Sequence, residues 1–133
     1  MSLLIYTVVG LSVTWALYAI YMYVATRAGE GQSAKPLYAP LPQLAEVSGR
    51  ALVYCYSPQC GPCRPMSKEV DSLAATGAPI FKIDISRHPA VVSALGIRVT
   101  PTLIVIENGV VGRMLLGVKT ADFMHGLIDS SAG

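Results

Sequence analysis

Charged residues are scarce in this chain of 133 residues, of which Asp, Glu, Lys and Arg make up only 14%, against about 25% in an ordinary globular protein. The net charge is +2 and the ten Lys and Arg residues are scattered, so the composition argues against a nucleic-acid partner. Cysteine is also rare: there are three, too few for the disulfide framework of a small secreted protein.

The shortage of charge has one main source, because residues 3–25 contain no Asp, Glu, Lys, Arg or His. As a helix this stretch is about 34 Å long, enough to cross a bilayer. The remaining residues form too small a domain to bury a helix that is apolar on every face. A cleaved signal peptide would have a basic amino terminus and a shorter apolar core. We therefore predict a retained transmembrane anchor over residues 1–26.

The anchor is followed by a Pro/Gly-rich linker, residues 27–43, whose three prolines argue against a regular helix. If its second half is extended, it holds a domain at residues 44–133 within a few tens of ångströms of the membrane, at about 3 Å per residue. Arg27 and Lys35 follow the anchor and no basic residue precedes it. This weak positive-inside bias slightly favours a cytoplasmic domain.

The periodicity of the remaining residues predicts alternating strands and helices. Apolar runs rich in β-formers indicate strands, helical spacing indicates amphipathic helices, and Asn-Gly suits a type I′ hairpin turn. The predicted elements are a helical turn at 41–47, strands at 51–57 and 79–85, helices at 61–75, 88–96 and 120–128, and a hairpin at 102–117. This order predicts an α/β fold with two parallel crossovers followed by an antiparallel pair.

Two cysteines lie where the first strand gives way to a helix, a position suited to redox chemistry. The amino terminus of a helix stabilises a thiolate, which favours Cys60 as a nucleophile. Cys63, one turn further on and more shielded, can release the mixed disulfide by attacking Cys60. Gly61 allows a close approach and Pro62 fixes the local backbone, and we expect both residues to contact the substrate. We predict Cys60 and Cys63 as catalytic residues.

A metal site is the main alternative for a Cys-x-x-Cys pair. A structural zinc site needs about four ligands, and the other candidates, Cys55, His88 and His125, show no second paired spacing. We therefore predict no metal and no cofactor, with delivery of a soft metal as a remaining alternative. Cys55 lies in an apolar strand and is expected to be a buried, inert thiol.

Several spaced motifs resemble the thioredoxin family over residues 50–130: "CGPC" at 60–63, "VTPT" at 99–102, the "ENG" turn and the glycine of "LLGVKT". The resemblance implies a thioredoxin-like α/β fold, trimmed to a four-stranded mixed sheet with flanking helices. It also implies that Pro101 is a cis-proline facing the cysteine pair, and that Pro101 and Thr100 bind the extended backbone of a substrate.

The chain departs from the thioredoxin pattern at three positions that are expected to modulate the site. Gln59 replaces a tryptophan that usually precedes the first cysteine, and Tyr54 replaces an acid thought to assist proton transfer from the second. With a pKa of about 10, a tyrosine is no carboxylate base near neutral pH. Lys82 corresponds to the lysine that pairs with that acid in the family, and in this chain it lacks that acid as a partner.

Together these features predict a membrane-tethered thiol–disulfide oxidoreductase. The expected partners are protein or small-thiol disulfides, an unidentified electron donor and the lipid bilayer, with no nucleic acid. A thioredoxin-fold accessory or interaction subunit of a membrane complex is the alternative outside enzymology. Membrane-tethered bacterial relatives commonly face the periplasm, so the resemblance and the charge bias disagree about sidedness.

Overall fold

The computed structural model describes residues 1–27 and 30–130. Its helices are α1 (Ser2–Arg27), α2 (Lys35–Tyr38), α3 (Cys63–Ala75), α4 (Pro89–Leu95) and α5 (Ala121–Asp129). Its strands are β1 (Arg50–Tyr56), β2 (Ile80–Asp84), β3 (Thr102–Glu107) and β4 (Val110–Leu116). Two 3-10 turns cover Pro42–Glu46 and Ile85–Arg87. The predicted order of strands and helices is confirmed.

The four strands form one mixed sheet in the order β2-β1-β3-β4. β1 is parallel to β2, and α3 forms the crossover connection that a parallel pair needs. In contrast, β3 runs antiparallel to β1. The prediction of two parallel crossovers is therefore wrong for the second connection. After α4 the chain enters β3 at the carboxyl end of β1, where Thr102 pairs with Cys55. This direction places the start of β3 beside the end of β1, where the cysteine pair follows.

The hairpin between β3 and β4 turns as predicted. Asn108 has φ 51° and Gly109 has φ 79°, and positive φ at both central positions is the mark of a type I′ turn. The turn lies at the end of the sheet opposite the cysteine pair.

The sheet separates two apolar cores, because successive side chains of β1 point to opposite faces. Cys55 packs on the face covered by α2 and α4, and Tyr54 packs on the face covered by α3 and α5. Arg50 on β1 holds helix α5 against the sheet. Its Nη1 donates to the carbonyl oxygen of Leu127 on α5 at 2.7 Å, and its guanidinium pairs with Glu107 on β3. Both faces of the sheet are thus covered by helices.

The segment after α1 is docked on the edge of the sheet. The amide of Gly31 donates to the carbonyl of Val111 at 2.6 Å, and the amide of Ala34 donates to the carbonyl of Gly109 at 2.9 Å. Ala34 and Leu37 are fully buried. The condition of an extended second half is not met, because Lys35–Tyr38 form the short helix α2 despite Pro36, which occupies the first turn of that helix where a proline is tolerated. The edge of β4 offers hydrogen-bonding groups to the segment, and Leu37 buries apolar surface. The limits 27–43 for the linker and 44–133 for the domain stay predictions.

Helix α1 is apolar and lies outside the core. Residues Ser2–Ala25 have a mean hydropathy of 1.9 and are not buried in the rest of the chain. By length and composition the helix could cross a membrane, and a signal sequence has the same features.

Candidate active site

Cys60 and Cys63 form a disulfide at the start of α3, with their Cα atoms 5.3 Å apart. Cys60 precedes the helix and is partly exposed, whereas Cys63, its first residue, is only 2% exposed. Gly61 and Pro62 form the exposed turn between them. An incoming sulfur atom can therefore reach Cys60 more readily than Cys63, which fits the predicted roles of nucleophile and resolving thiol.

The loop before β3 forms the second wall of the site. The Thr100–Pro101 peptide bond is cis, and the carbonyl of Pro101 accepts a hydrogen bond from the amide of Gly117 at 3.0 Å. Thr100 and Gln59 line one cleft of about 380 Å³. The structure therefore brings Thr100, Pro101 and Gln59, three of the predicted site residues, to the same end of the sheet as Cys60.

A second cleft, of about 370 Å³, opens on the α3 side of the disulfide. Both cysteines line it, together with Tyr56 and Ser67 and the basic residues Arg64 and Lys68. Positive charge beside a thiol favours its thiolate form. The disulfide lines this cleft, and the cleft of Gln59 and Thr100 begins next to it at Gln59; of the two, the cleft with the disulfide is the more basic.

Tyr54 lies beneath the cysteine pair, fully buried. Its hydroxyl donates to the carbonyl oxygen of Cys63 at 2.9 Å and lies 2.9 Å from Oγ of Ser67. Burial raises the pKa of the Tyr54 phenol above its ordinary value, so the side chain is neutral at neutral pH. Tyr54 therefore fixes the first turn of α3 on β1 and offers no carboxylate to the site.

Ser67 was not identified from the sequence. A serine one helical turn after Cys63 lies on the same helix face, so its spacing from the cysteine pair is the signal that would have found it. Its hydroxyl completes the polar contact of the buried Tyr54 phenol.

Lys82 lacks the family's acid at position 54, as predicted, and pairs with a different carboxylate. Its Nζ lies 3.0 Å from Oδ1 of Asp71 on α3 and 5.2 Å from the ring centroid of Tyr56. Because α3 packs across β1 and β2, it presents a carboxylate of its own to the lysine. The pair is partly exposed to solvent, and such pairs contribute at most about 1 kcal/mol to stability.

The other candidate ligands lie apart from the cysteine pair. His88 precedes α4, and His125 on α5 pairs with Asp129, with 2.9 Å between Nδ1 and Oδ2. Among residues 1–27 and 30–130, no group of three His, Cys, Asp or Glu side chains is arranged to hold a metal ion.

Cys55 is fully buried, and burial raises the pKa of its thiol to about 12. A thiol in this state holds almost no thiolate at neutral pH.

When the disulfide is reduced, we expect iodoacetamide to label Cys60 first and to leave Cys55 unmodified in the folded chain. Cys60 is partly exposed, whereas Cys55 is both inaccessible and protonated. Mass spectrometry of timed samples between about pH 6 and pH 9, a range that spans the ordinary thiol pKa, would measure this order. Labelling of Cys55 or Cys63 ahead of Cys60 would contradict the assignment, and labelling in denaturant is the control.

Comparison with known proteins agrees with this geometry. The family model "Thioredoxin" matches residues 42–130. The chain is 34% identical to thioredoxin 1 of Synechococcus elongatus over 70 residues, covering 50% of this chain and 65% of the relative. It is 30% identical to the thioredoxin of Chlamydia caviae, covering 62% of this chain and 82% of the relative. It is also 30% identical to the thioredoxin of Bacillus subtilis, covering 64% and 86%.

Among solved structures, a mutant thioredoxin from Halobacterium salinarum is similar, with a TM-score of 0.63 and 30% identity. The similarity covers 78% of this chain and 88% of that one. The family model matches most of the chain, and the four-stranded sheet and the disulfide at the start of α3 agree with it. The chain therefore belongs to the thioredoxin family of thiol–disulfide oxidoreductases.

Proposed function

We propose that this chain is a membrane-tethered thiol–disulfide oxidoreductase that works through Cys60 and Cys63. The observation that carries the proposal is the arrangement of the pair, a partly exposed Cys60 bonded to a buried Cys63 at the start of α3. The substrates are disulfides of proteins or small thiols, and reduction of Cys60–Cys63 requires a dithiol or another thiol donor.

In the reducing direction, the Cys60 thiolate attacks one sulfur of the substrate disulfide. A bond forms between Cys60 and that sulfur, the substrate S–S bond breaks, and the other substrate sulfur leaves as a thiolate. The Cys63 thiolate then attacks Sγ of Cys60, which re-forms the Cys60–Cys63 disulfide and releases the second substrate thiolate. Two electrons pass to the substrate, and the reverse sequence oxidises a dithiol.

The neutral Tyr54 phenol affects the second of these steps. Cys63 must lose its proton before it can attack. Tyr54 is no base for this proton, because its hydroxyl is neutral and already donates to the Cys63 carbonyl. The first substrate thiolate, with an ordinary pKa of about 8.5, is basic enough to take the proton. Thr100 and Pro101 would hold the substrate backbone beside Cys60 while this transfer takes place.

Membrane attachment is the second part of the proposal, supported by the length and hydropathy of α1. Arg27 and Lys35 follow the anchor, and on this basis we place the domain on the cytoplasmic side.

Alkaline phosphatase fused after Gly133 tests the sidedness, since that enzyme becomes active only in an oxidising compartment. We expect low phosphatase activity in intact bacterial cells and high activity from a matched fusion that carries a cleavable export signal instead of residues 1–26. Strong activity of the full-length fusion would place the domain in the periplasm.

The catalytic proposal is tested by turnover of insulin disulfides with dithiothreitol as the donor, using the full chain in detergent micelles. We expect Cys60→Ser to lower the rate to that of dithiothreitol alone, because the first covalent step needs the Cys60 sulfur. Cys55→Ala is the matched control and should keep the rate of the parent chain. Unchanged turnover in Cys60→Ser would favour the accessory-subunit interpretation.

A further inference from the structure

We propose that an exposed surface beside Thr100, formed by Arg98, Val99 and Leu116, rests on the bilayer that α1 enters. This contact restricts the site to disulfides held at the membrane surface, such as those in segments of membrane proteins close to the lipid headgroups. The proposal rests on the proposed function in taking α1 as a membrane anchor.

The attachment between anchor and domain is short. Only residues 28 and 29 separate the end of α1 from Glu30, and a carboxylate oxygen of Glu30 accepts a hydrogen bond from the amide of Met114 at 3.3 Å. At no more than about 3.6 Å per residue, the intervening chain reaches roughly 10 Å. The domain is therefore held close to the point where the anchor leaves the membrane.

The anchor also contacts the domain directly. Met22 of α1 lines a cavity of about 120 Å³ together with Val99, Met114 and Leu116. Met22 precedes the end of the apolar span at Ala25 by about 4.5 Å along a helix. It therefore lies at the boundary between the acyl chains and the headgroups when α1 crosses a bilayer, and the domain residues that line the same cavity lie near that boundary too.

The side chains at this level suit a lipid surface. Val99 is 46% exposed and Leu116 is 43% exposed, so both present apolar area beside the cavity. Arg98 is exposed and lines the same cavity. Apolar side chains entering the headgroup region and a cation facing anionic headgroups are the two contributions by which peripheral surfaces bind membranes.

This surface adjoins the active site. Arg98 and Val99 also line the cleft that contains Gln59 and Thr100, so the surface is continuous with that cleft. The cleft on the α3 side, lined by Cys60 and Cys63, does not include them, so Cys60 stays accessible from that side. The site can thus face a membrane-bound disulfide without being closed by lipid.

Tryptophan fluorescence measures the contact. In a Trp15→Phe background, which removes the only native tryptophan, we would compare Leu116→Trp with Val110→Trp. Both positions are 43% exposed and lie at opposite ends of β4, about 20 Å apart. The full chain is placed in vesicles of phosphatidylcholine and phosphatidylglycerol with brominated acyl chains. We expect several-fold stronger quenching of Leu116→Trp, and equal or no quenching of the two would overturn the proposal.

Substrate choice is measured in the same vesicles with two disulfide peptides on a common transmembrane helix, one with a spacer of about 3 residues and one with about 30. We expect the first to react about tenfold faster or more, whereas equal rates would overturn the restriction. The quenching can also be read in a Cys60→Ser chain. Quenching of Leu116→Trp in a chain that keeps Cys60 and Cys63 but turns over no disulfide would support the membrane contact and overturn the proposed function.

Discussion

A chain in which Cys63 is replaced by alanine is expected to remain covalently joined to its substrate. The partly exposed Cys60 can still attack a disulfide, but the sulfur that completes the exchange is absent, so the mixed disulfide accumulates. Alanine is a good residue for the first turn of a helix, so α3 should persist. Gels run without reductant, followed by mass spectrometry of the adduct, would measure an increase from nearly none to most of the chain.

The matched control is Cys60→Ala, which keeps the buried Cys63 and should give no adduct. Cys55→Ala combined with Cys63→Ala should trap as much substrate as Cys63→Ala alone, because Cys55 is fully buried. Adducts of equal amount in Cys60→Ala and Cys63→Ala would refute the division of roles between the two cysteines.

A large loss of stability is expected from Tyr54→Asp, although an acid is what the thioredoxin pattern has at this position. The side chain is fully buried and the nearest lysine, Lys82, is paired with Asp71. An unpaired buried carboxylate costs about 3–5 kcal/mol in the free energy of unfolding, and loss of the ring stacked on Tyr56 adds a cavity. Denaturant unfolding in detergent, followed by near-UV circular dichroism, would measure the change.

The pH dependence of this variant separates buried charge from lost packing. Burial raises the pKa of a carboxyl group in the folded state above its unfolded pKa of about 3.9. The free energy of unfolding of Tyr54→Asp is therefore highest below that unfolded pKa, and it falls as the pH rises through the folded-state pKa. Tyr54→Phe, the control, should cost about 1–2 kcal/mol from the hydrogen bonds to Cys63 and Ser67, without this pH dependence. A Tyr54→Asp chain as stable as Tyr54→Phe and faster in resolving mixed disulfides would show that Lys82 can change partners.

Local patterns were sufficient to predict most of the secondary structure and the cysteine site. The apolar run of β1, the helical spacing of α3 and the Asn-Gly turn each depend on neighbouring residues. The setting of Cys60 between a strand and a helix follows from the same patterns, and it carried the prediction of redox chemistry.

Features that depend on distant residues could not be predicted in this way. The direction of β3 follows from the path of the chain after α4, which no periodicity encodes. The docking of Leu37 depends on space between elements far along the chain. The Lys82–Asp71 pair depends on how α3 lies across the sheet, so a comparison that considered only the family's acid at position 54 missed it.

The segment docked along β4 also affects how copies of this protein meet one another. An open strand edge would let the sheets of two copies join. Here the amide and carbonyl of Val111 are bonded to Gln32 and Gly31, and the amide of Met114 is bonded to Glu30. The residues that follow α1 therefore block edge-to-edge association of two sheets along this part of β4.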